Sequence, residues 1–206
     1  VFSQLKESKK AVELFNEAIK INPRYAEAYY NLGNIYRESA DYKKSIEFYK
    51  NAISIKPNYV SALINLSISL NKNGNLKEAI NYCETALNQD PNNVKALNNL
   101  GEYNHEIGNE NLSINYYKKA LKIEPKNLRS KWLLMNTFPI IYKNSEQIDY
   151  FKKHFEKNLK SLEDLIMNNN IFEKRQILSA LNSSTNFYLH YHGDDITNLQ
   201  RRYGSL

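Results

Sequence analysis

Four prolines, Pro23, Pro57, Pro91 and Pro125, stand 34 residues apart each time, and the residues between them repeat one apolar spacing. A fixed period of this length marks a solenoid, in which each helical pair buries its apolar face only by stacking on its neighbours. Function in such a chain is sought on a long surface.

With each proline set at position 32, the second unit runs over 26–59, the third over 60–93 and the fourth over 94–127. Position 4 then holds Tyr29, Leu63 and Leu97; position 7 holds Leu32, Leu66 and Leu100; position 11 holds Tyr36, Leu70 and, as an exception, Asn104. That three-and-four spacing is the apolar stripe of a first helix. Position 8 is Gly33, Ser67 and Gly101, small enough to let a neighbouring helix come close. A second helix carries Ser45, Ala79 and Ser113 at position 20, Tyr49, Cys83 and Tyr117 at position 24, and Ala52, Ala86 and Ala120 at position 27. Ala40, Gly74 and Gly108 occupy the turn between the two helices, where a left-handed backbone is easiest for glycine. Each proline follows the second helix because it has no N–H with which to continue it and restrains the residue before it. Cys83 stands in a slot that tyrosine fills elsewhere, so it reads as a small buried hydrophobe and not as a reactive thiol.

The pattern Tyr29-x2-Leu32-Gly33-x2-Tyr36, then Ser45-x3-Tyr49-x2-Ala52-x4-Pro57, resembles the tetratricopeptide repeat. The resemblance implies an all-α superhelical solenoid of antiparallel helix pairs, followed here by a C-terminal helical connector. A partial first repeat occupies 1–25, with Ala11, Phe15, Ala18 and Pro23 fitting its second helix, so Val1 is expected not to be the natural start. Three full repeats follow at 26–59, 60–93 and 94–127, then a degenerate terminal repeat at 128–144. There Trp132 and Leu133 shift a first helix spanning Leu128 to Phe138, and Pro139 cuts the unit short. The connector or cap at 145–206 opens with a long helix over 145–167, with Ser145 as N-cap and Ile148, Phe151, Phe155, Leu159, Leu162 and Ile166 on one stripe. A shorter helix is expected around Ile171 to Leu181, and a last one from Asp194 or Asp195, unfinished at Leu206.

Within the repeat resemblance, first helices line the concave side, and the positions left over after the core is assigned form the candidate binding face. Position 6 gives one asparagine per repeat, Asn31, Asn65 and Asn99. A row of carboxamides can donate to and accept from an extended peptide backbone, and it can equally serve local hydrogen bonding within the repeats. Tyr30, Asn34, Arg37, Glu38, Ile64, Ile68, Asn71, Lys72, Asn98, Glu102, His105 and Glu106 surround the row. Tyr30, Asn34, Arg37, Asn98 and Glu102 join the three asparagines as candidate peptide-binding residues.

A second resemblance lies after the repeats. Phe138-Pro139-Ile140-Ile141-Tyr142, Ser145-Glu146-Gln147-Ile148, and Phe187-Tyr188-Leu189-x-Tyr191-x-Gly193-x-Asp195-x3-Leu199-Gln200-x2-Tyr203-Gly204-x-Leu206 look like the connector of bacterial SPINDLY and O-linked N-acetylglucosamine transferase family proteins. His190 and His192 depart from that pattern. The resemblance implies a recognition arm that presents protein substrates to a glycosyltransferase domain beyond Leu206, and no catalytic residue of that family maps onto this chain.

The remaining features restrict function further. The formal charge of +6 divides evenly between the segment up to Asn127 and the remainder, with acids interleaved throughout, unlike the focused basic stripe that phosphate contacts need. Nucleic acid is therefore not an expected partner. No apolar run approaches the roughly 18 residues of a membrane span, and the first residues lack the apolar core of a secretory signal, so a cytoplasmic protein is expected. His190 and His192 have no evident third metal ligand, and Asp194 and Asp195 suit a helix start better than acid–base work. With no phosphate loop or nucleophile elbow, neither cofactor nor catalytic residue is expected. The expected partner is a protein or extended peptide, with self-association through an uncovered repeat end as a further possibility; the rival expectation is a stand-alone assembly scaffold.

Overall fold

The second helix of every full repeat stops at the residue before its proline. The computed structural model describes residues 2–137 and 144–167. Among these lie α1 (Phe2–Ile21), α2 (Ala26–Glu38), α3 (Tyr42–Ile55), α4 (Val60–Lys72), α5 (Leu76–Gln89), α6 (Val94–Glu106), α7 (Glu110–Ile123), α8 (Leu128–Met135) and α9 (Ser145–Met167). The described residues contain no strand. Lys56, Asp90 and Glu124, each next to its unit's proline, take φ near −130°, −133° and −123° with ψ near 86°, 85° and 86°, the extended shape that a following proline imposes. Their N–H groups donate at 2.9 Å to the carbonyls of Ala52, Ala86 and Ala120, closing α3, α5 and α7 at the same position of every unit.

The turn inside each pair is also uniform. Gly74 and Gly108 have φ of 84° and 78°, and Ala40 is held at 59° in the same place. The residue after each returns its N–H to position 11: Asp41 to the Tyr36 carbonyl, Asn75 to Leu70 and Asn109 to Asn104, at 2.8 to 2.9 Å. Asn104 can stand in the otherwise apolar position 11 because this bond uses only its backbone.

Burial follows the repeat register. Leu32, Leu66 and Leu100 are fully covered, as are the residues at positions 20, 24 and 27 of all three full units. Tyr29 and Tyr36 are half-buried and close on Phe48, with ring centroids at 6.5 and 5.3 Å and the second pair nearly parallel. The chain divides into two compact units, 1–103 and 104–206. In the first, α1 packs on α2, α2 on α3, α3 on α4 and α4 on α5, and α2 also touches α4, so consecutive first helices meet directly.

In the second unit α7, α8 and α9 share one core. Ile114 and Tyr117 from α7, Trp132, Leu134 and Met135 from α8, and Phe151, Phe155 and Leu159 from α9 bury one another. Two sequence expectations change here. The helix expected to reach Phe138 ends at Met135, because the Asn136 N–H and Nδ2 both donate to the Trp132 carbonyl and Thr137 Oγ1 donates to the Leu133 carbonyl. Such side-chain bonds satisfy the orphan carbonyls of a helix end and stop its growth. The N-cap of α9 is Asn144, one residue before Ser145: its Oδ1 accepts from the Gln147 N–H at 2.9 Å. The α9 stripe is confirmed at Phe151, Phe155 and Leu159, with Ile148 half-buried. The side chains of Leu162 and Ile166, and everything expected of residues 168–206, including His190, His192, Asp194 and Asp195, lie outside the described residues.

Two measurements check this account. A left-handed backbone costs an L-residue about 1–2 kcal/mol, partly offset by the greater freedom glycine gains on unfolding. Ala40→Gly should therefore raise the stability seen in urea unfolding by about 0.5–1 kcal/mol, whereas Gly74→Ala should lower it by a similar amount. The second measurement concerns two histidines of the 104–206 unit. Burial lowers the His154 pKa against the opposing effect of its contact with the Leu134 carbonyl, 3.1 Å from Nε2, and Lys118 and Lys157 lower it further. Burial likewise lowers that of His105, opposed by Glu110 and Glu106. The unfolded chain then binds protons more readily than the folded one, so stability is complete above an ordinary imidazole pKa of about 6.5 and declines as pH falls through and below it. Urea unfolding at pH 7.5 and pH 5 should show that loss, and His154→Gln should reduce it.

Candidate functional site

The surface left by the core is built on the first helices, and its chemistry begins with a contact inside. Gly33 on α2 is fully buried, and a β-carbon added there would lie 2.5 Å from the Tyr49 ring. Bare backbone is what lets the ring of α3 lie against α2. Tyr49 is 0% exposed, yet its hydroxyl reaches the polar side chains of α2.

Arg37 fixes the direction of every bond that follows. Guanidinium can only donate, and Arg37 Nε donates to Tyr49 Oη at 3.3 Å. The Tyr49 proton therefore goes to Asn34 Oδ1, at 2.8 Å. Asn34 Oδ1 accepts a second bond from Asn65 Nδ2 at 2.8 Å, and the same Nδ2 group donates to the Tyr30 hydroxyl at 3.2 Å. Burial, outweighing the lowering effect of Arg37, pushes the Tyr49 pKa up to about 12, so the phenol stays neutral and does not cancel the Arg37 charge. Tyr30 is sandwiched by rings, 6.0 Å from that of Tyr49 and 4.9 Å from that of Tyr59.

The sequence-derived candidates are thereby separated. Tyr30, Asn34, Arg37 and Asn65 come together in one half-buried network, a juxtaposition that the row of asparagines did not announce. Asn31 and Glu102 are also half-buried on first helices. Asn98 and Asn99 are only 2% exposed, which removes them from the open face on which they were expected. Ile64, expected there too, is buried at 4%. On α4, position 6 turns toward the preceding first helix, where Asn65 meets Tyr30 and Asn34. The carboxamide row is thus not a uniform ladder: the Asn65 amino group is already engaged within the chain, and only its Oδ1 is left to accept. Tyr49 is the participant that sequence reasoning missed, because position 24 read as core alone. The signal was present in a tyrosine at a fully buried position, which needs a polar partner for its hydroxyl.

Cys83 shows what happens when the tyrosine is absent. Its Sγ contacts the Ala96 carbonyl at 3.4 Å, and burial pushes its pKa up to about 12, so it is a protonated core thiol. Ser67, in the place of Gly33, takes up part of the vacated volume and approaches Tyr103 Oη at 3.2 Å. Among the described residues, no three His, Cys, Asp or Glu side chains are placed to hold a metal ion, and no helix is long and apolar enough to cross a membrane.

The family models that match this chain together span residues 1–126. Family models described as tetratricopeptide repeat match residues 26–59 and 59–126, and one described as TPR repeat matches 1–39. A crystal structure of MamA is 20% identical and superposes with a TM-score of 0.68, covering 79% of this chain and 92% of that one. MamA 41-end from Desulfovibrio magneticus RS-1 gives 16% identity, a TM-score of 0.68, and coverage of 79% and 88%. YrrB, titled a TPR protein with an unusual peptide-binding site, gives 17% identity, a TM-score of 0.63, and coverage of 81% and 82%. These likenesses concern the fold. No curated protein sequence matches.

The Gly33–Tyr49 contact supplies a prediction. Overpacking a filled core costs about 1–3 kcal/mol, so Gly33→Ala should destabilise the chain by that order in urea unfolding. Combined with Tyr49→Cys, which shortens the opposing side chain as Cys83 does, the same substitution should cost much less than the sum of the two single changes.

Proposed function

We propose that this chain, a tetratricopeptide repeat protein over residues 1–126, is a protein-interaction module that binds an extended peptide segment on the face of α2 and α4. The observation that carries the reading is the Arg37–Tyr49–Asn34–Asn65–Tyr30 network. It joins consecutive first helices, and it leaves hydrogen-bonding groups unspent at its outer side: Asn34 Nδ2, Asn65 Oδ1 and the Tyr30 proton have no partner among the described residues. A donor and an acceptor on neighbouring side chains suit one residue of an extended segment, whose own N–H and C=O point to the same side and need both. Asn31 and Glu102, half-buried on their own first helices, are assigned to the same kind of face. First helices recur along the stack, as in solenoids that take extended ligands, while the side chains at these positions change from unit to unit. Binding, without chemistry on the bound chain, is the activity we assign.

A narrower reading makes the module the substrate-recognition arm of a SPINDLY-type glycosyltransferase. It is supported by the sequence words in 138–206 alone, most of which lie outside the described residues. A nucleotide-sugar-binding domain encoded after Leu206 would support it; an unrelated continuation would leave the module as an assembly scaffold.

The binding face is tested with a pool of N-acetylated, C-amidated nonapeptides of random sequence, titrated against the chain and followed by fluorescence anisotropy. Hydrogen bonds to a bound peptide contribute about 1 kcal/mol each, so Asn65→Ala combined with Tyr30→Phe should weaken binding by about tenfold or more while helical circular dichroism is unchanged. Unaltered affinity in the folded double variant would exclude this face.

A further inference from the structure

The last turn of α8 is closed from two sources. Asn136 donates to the Trp132 carbonyl and Thr137 to that of Leu133, both from residues just past the helix. The Leu134 carbonyl is met by His154 of α9, 20 residues further on, with Nε2 at 3.1 Å. A carbonyl can only accept, so Nε2 carries the proton and Nδ1 is the nitrogen left to titrate. The ring lies nearly parallel to that of Tyr150, 6.2 Å away, and steeply inclined to that of Phe151 at 6.5 Å. Phe151 and Phe155, on either side of it in α9, are buried in the core shared with α7 and α8. The imidazole therefore sits on the seam that holds α9 in place.

Protonation sets two requirements against each other. Burial in the seam disfavours an imidazolium and outweighs the Leu134 carbonyl, which favours one, and Lys118 on α7 and Lys157 on α9 add repulsion. Hydration lost in the seam is regained when α9 leaves it, and Lys118 stays behind on α7. A glutamine could cap the same carbonyl with no charge to gain, so capping alone does not call for an imidazole. We infer that His154 is an acid-sensitive latch: as a neutral ring it holds α9 against α7 and α8, and on taking a proton it releases α9 and bares Trp132, Leu134 and Met135 of α8. The loss of stability at low pH then falls first on α8 and α9, while α3 to α5 stay folded.

The test is hydrogen–deuterium exchange of the full chain, read by mass spectrometry from about pH 7 down to about pH 5, above the range in which most carboxylates titrate. After correction for the intrinsic pH dependence of exchange, the ratio of released to docked α9 should rise below about pH 6.5. Uptake of one proton limits that rise to about tenfold per pH unit. Amides of α3 to α5 should keep their protection. His154→Gln should make the protection of α9 independent of pH, whereas His105→Gln, at the other histidine that burial perturbs, should leave the dependence in place. Lys118→Gln, at an exposed position, should move the dependence to lower pH. Protection of α9 that does not vary with pH, or variation that survives His154→Gln, overturns the inference. So does a parallel loss across α3 to α5, which would make the event global unfolding. If His154→Gln does not fold, Lys118→Gln decides: an unmoved dependence in that variant overturns the latch.

Discussion

The ring of Tyr49 against the bare backbone of Gly33 is the contact on which both the core and the surface of the first unit depend. Inward, it fills the space between α2 and α3, and a single added carbon at position 33 would sit 2.5 Å from it. Outward, its hydroxyl must find partners because an unbonded buried phenol is costly, and it finds them in Arg37 and Asn34. Packing thus determines where the polar groups of the face are held. A surface network anchored in a fully buried ring is oriented before any ligand arrives, so less ordering is left for binding to supply.

The same pair of positions explains why one repeat fold carries different chemistry along its length. Gly33 faces Tyr49, while Ser67 stands near Cys83, so a larger residue at position 8 goes with a smaller one at position 24. The exchange is only partial, since serine and cysteine together carry fewer side-chain atoms than the tyrosine ring they replace, and close packing requires neighbouring side chains to supply the rest. The hydroxyl is not conserved. With Cys83 in place, no phenol emerges at positions 9 and 12, which here are Ile68 and Asn71 in place of Asn34 and Arg37. Gly101 and Tyr117 return to the first pairing in sequence, with Glu102 and His105 at those positions.

Most of the fold was legible in the sequence because it rests on backbone rules that repeat. Proline at position 32, the left-handed residue at position 15 and the apolar stripe each act within a few residues, and three copies reveal what one would not. The misreadings have equally physical origins. The end of α8 was placed too late because side-chain bonds from Asn136 and Thr137 stop the helix before any proline does. Ser145 and Asn144 are both good N-caps, and only the bond to the Gln147 N–H chooses between them. Asn98, Asn99 and Ile64 were assigned to open surface because helical periodicity tells which side of one helix is apolar, and it does not tell how closely the next first helix approaches.

The candidate site was legible only in part, for a reason that bears on how it works. Its residues could be listed from the repeat register, but the polarity of the network is a property of their connection. Arg37 can only donate; Tyr49 must then accept there and donate onward; Asn34 Oδ1 must accept twice, and the Asn65 amino group is fully engaged. One cation therefore decides which atoms of four other side chains remain for a ligand. Replacing Arg37 by a neutral acceptor would not merely delete a charge, because the Tyr49 proton could then turn toward position 37. Asn34 Oδ1 would lose a donor, and the outer face would lose the fixed arrangement that distinguishes it from an ordinary hydrated surface.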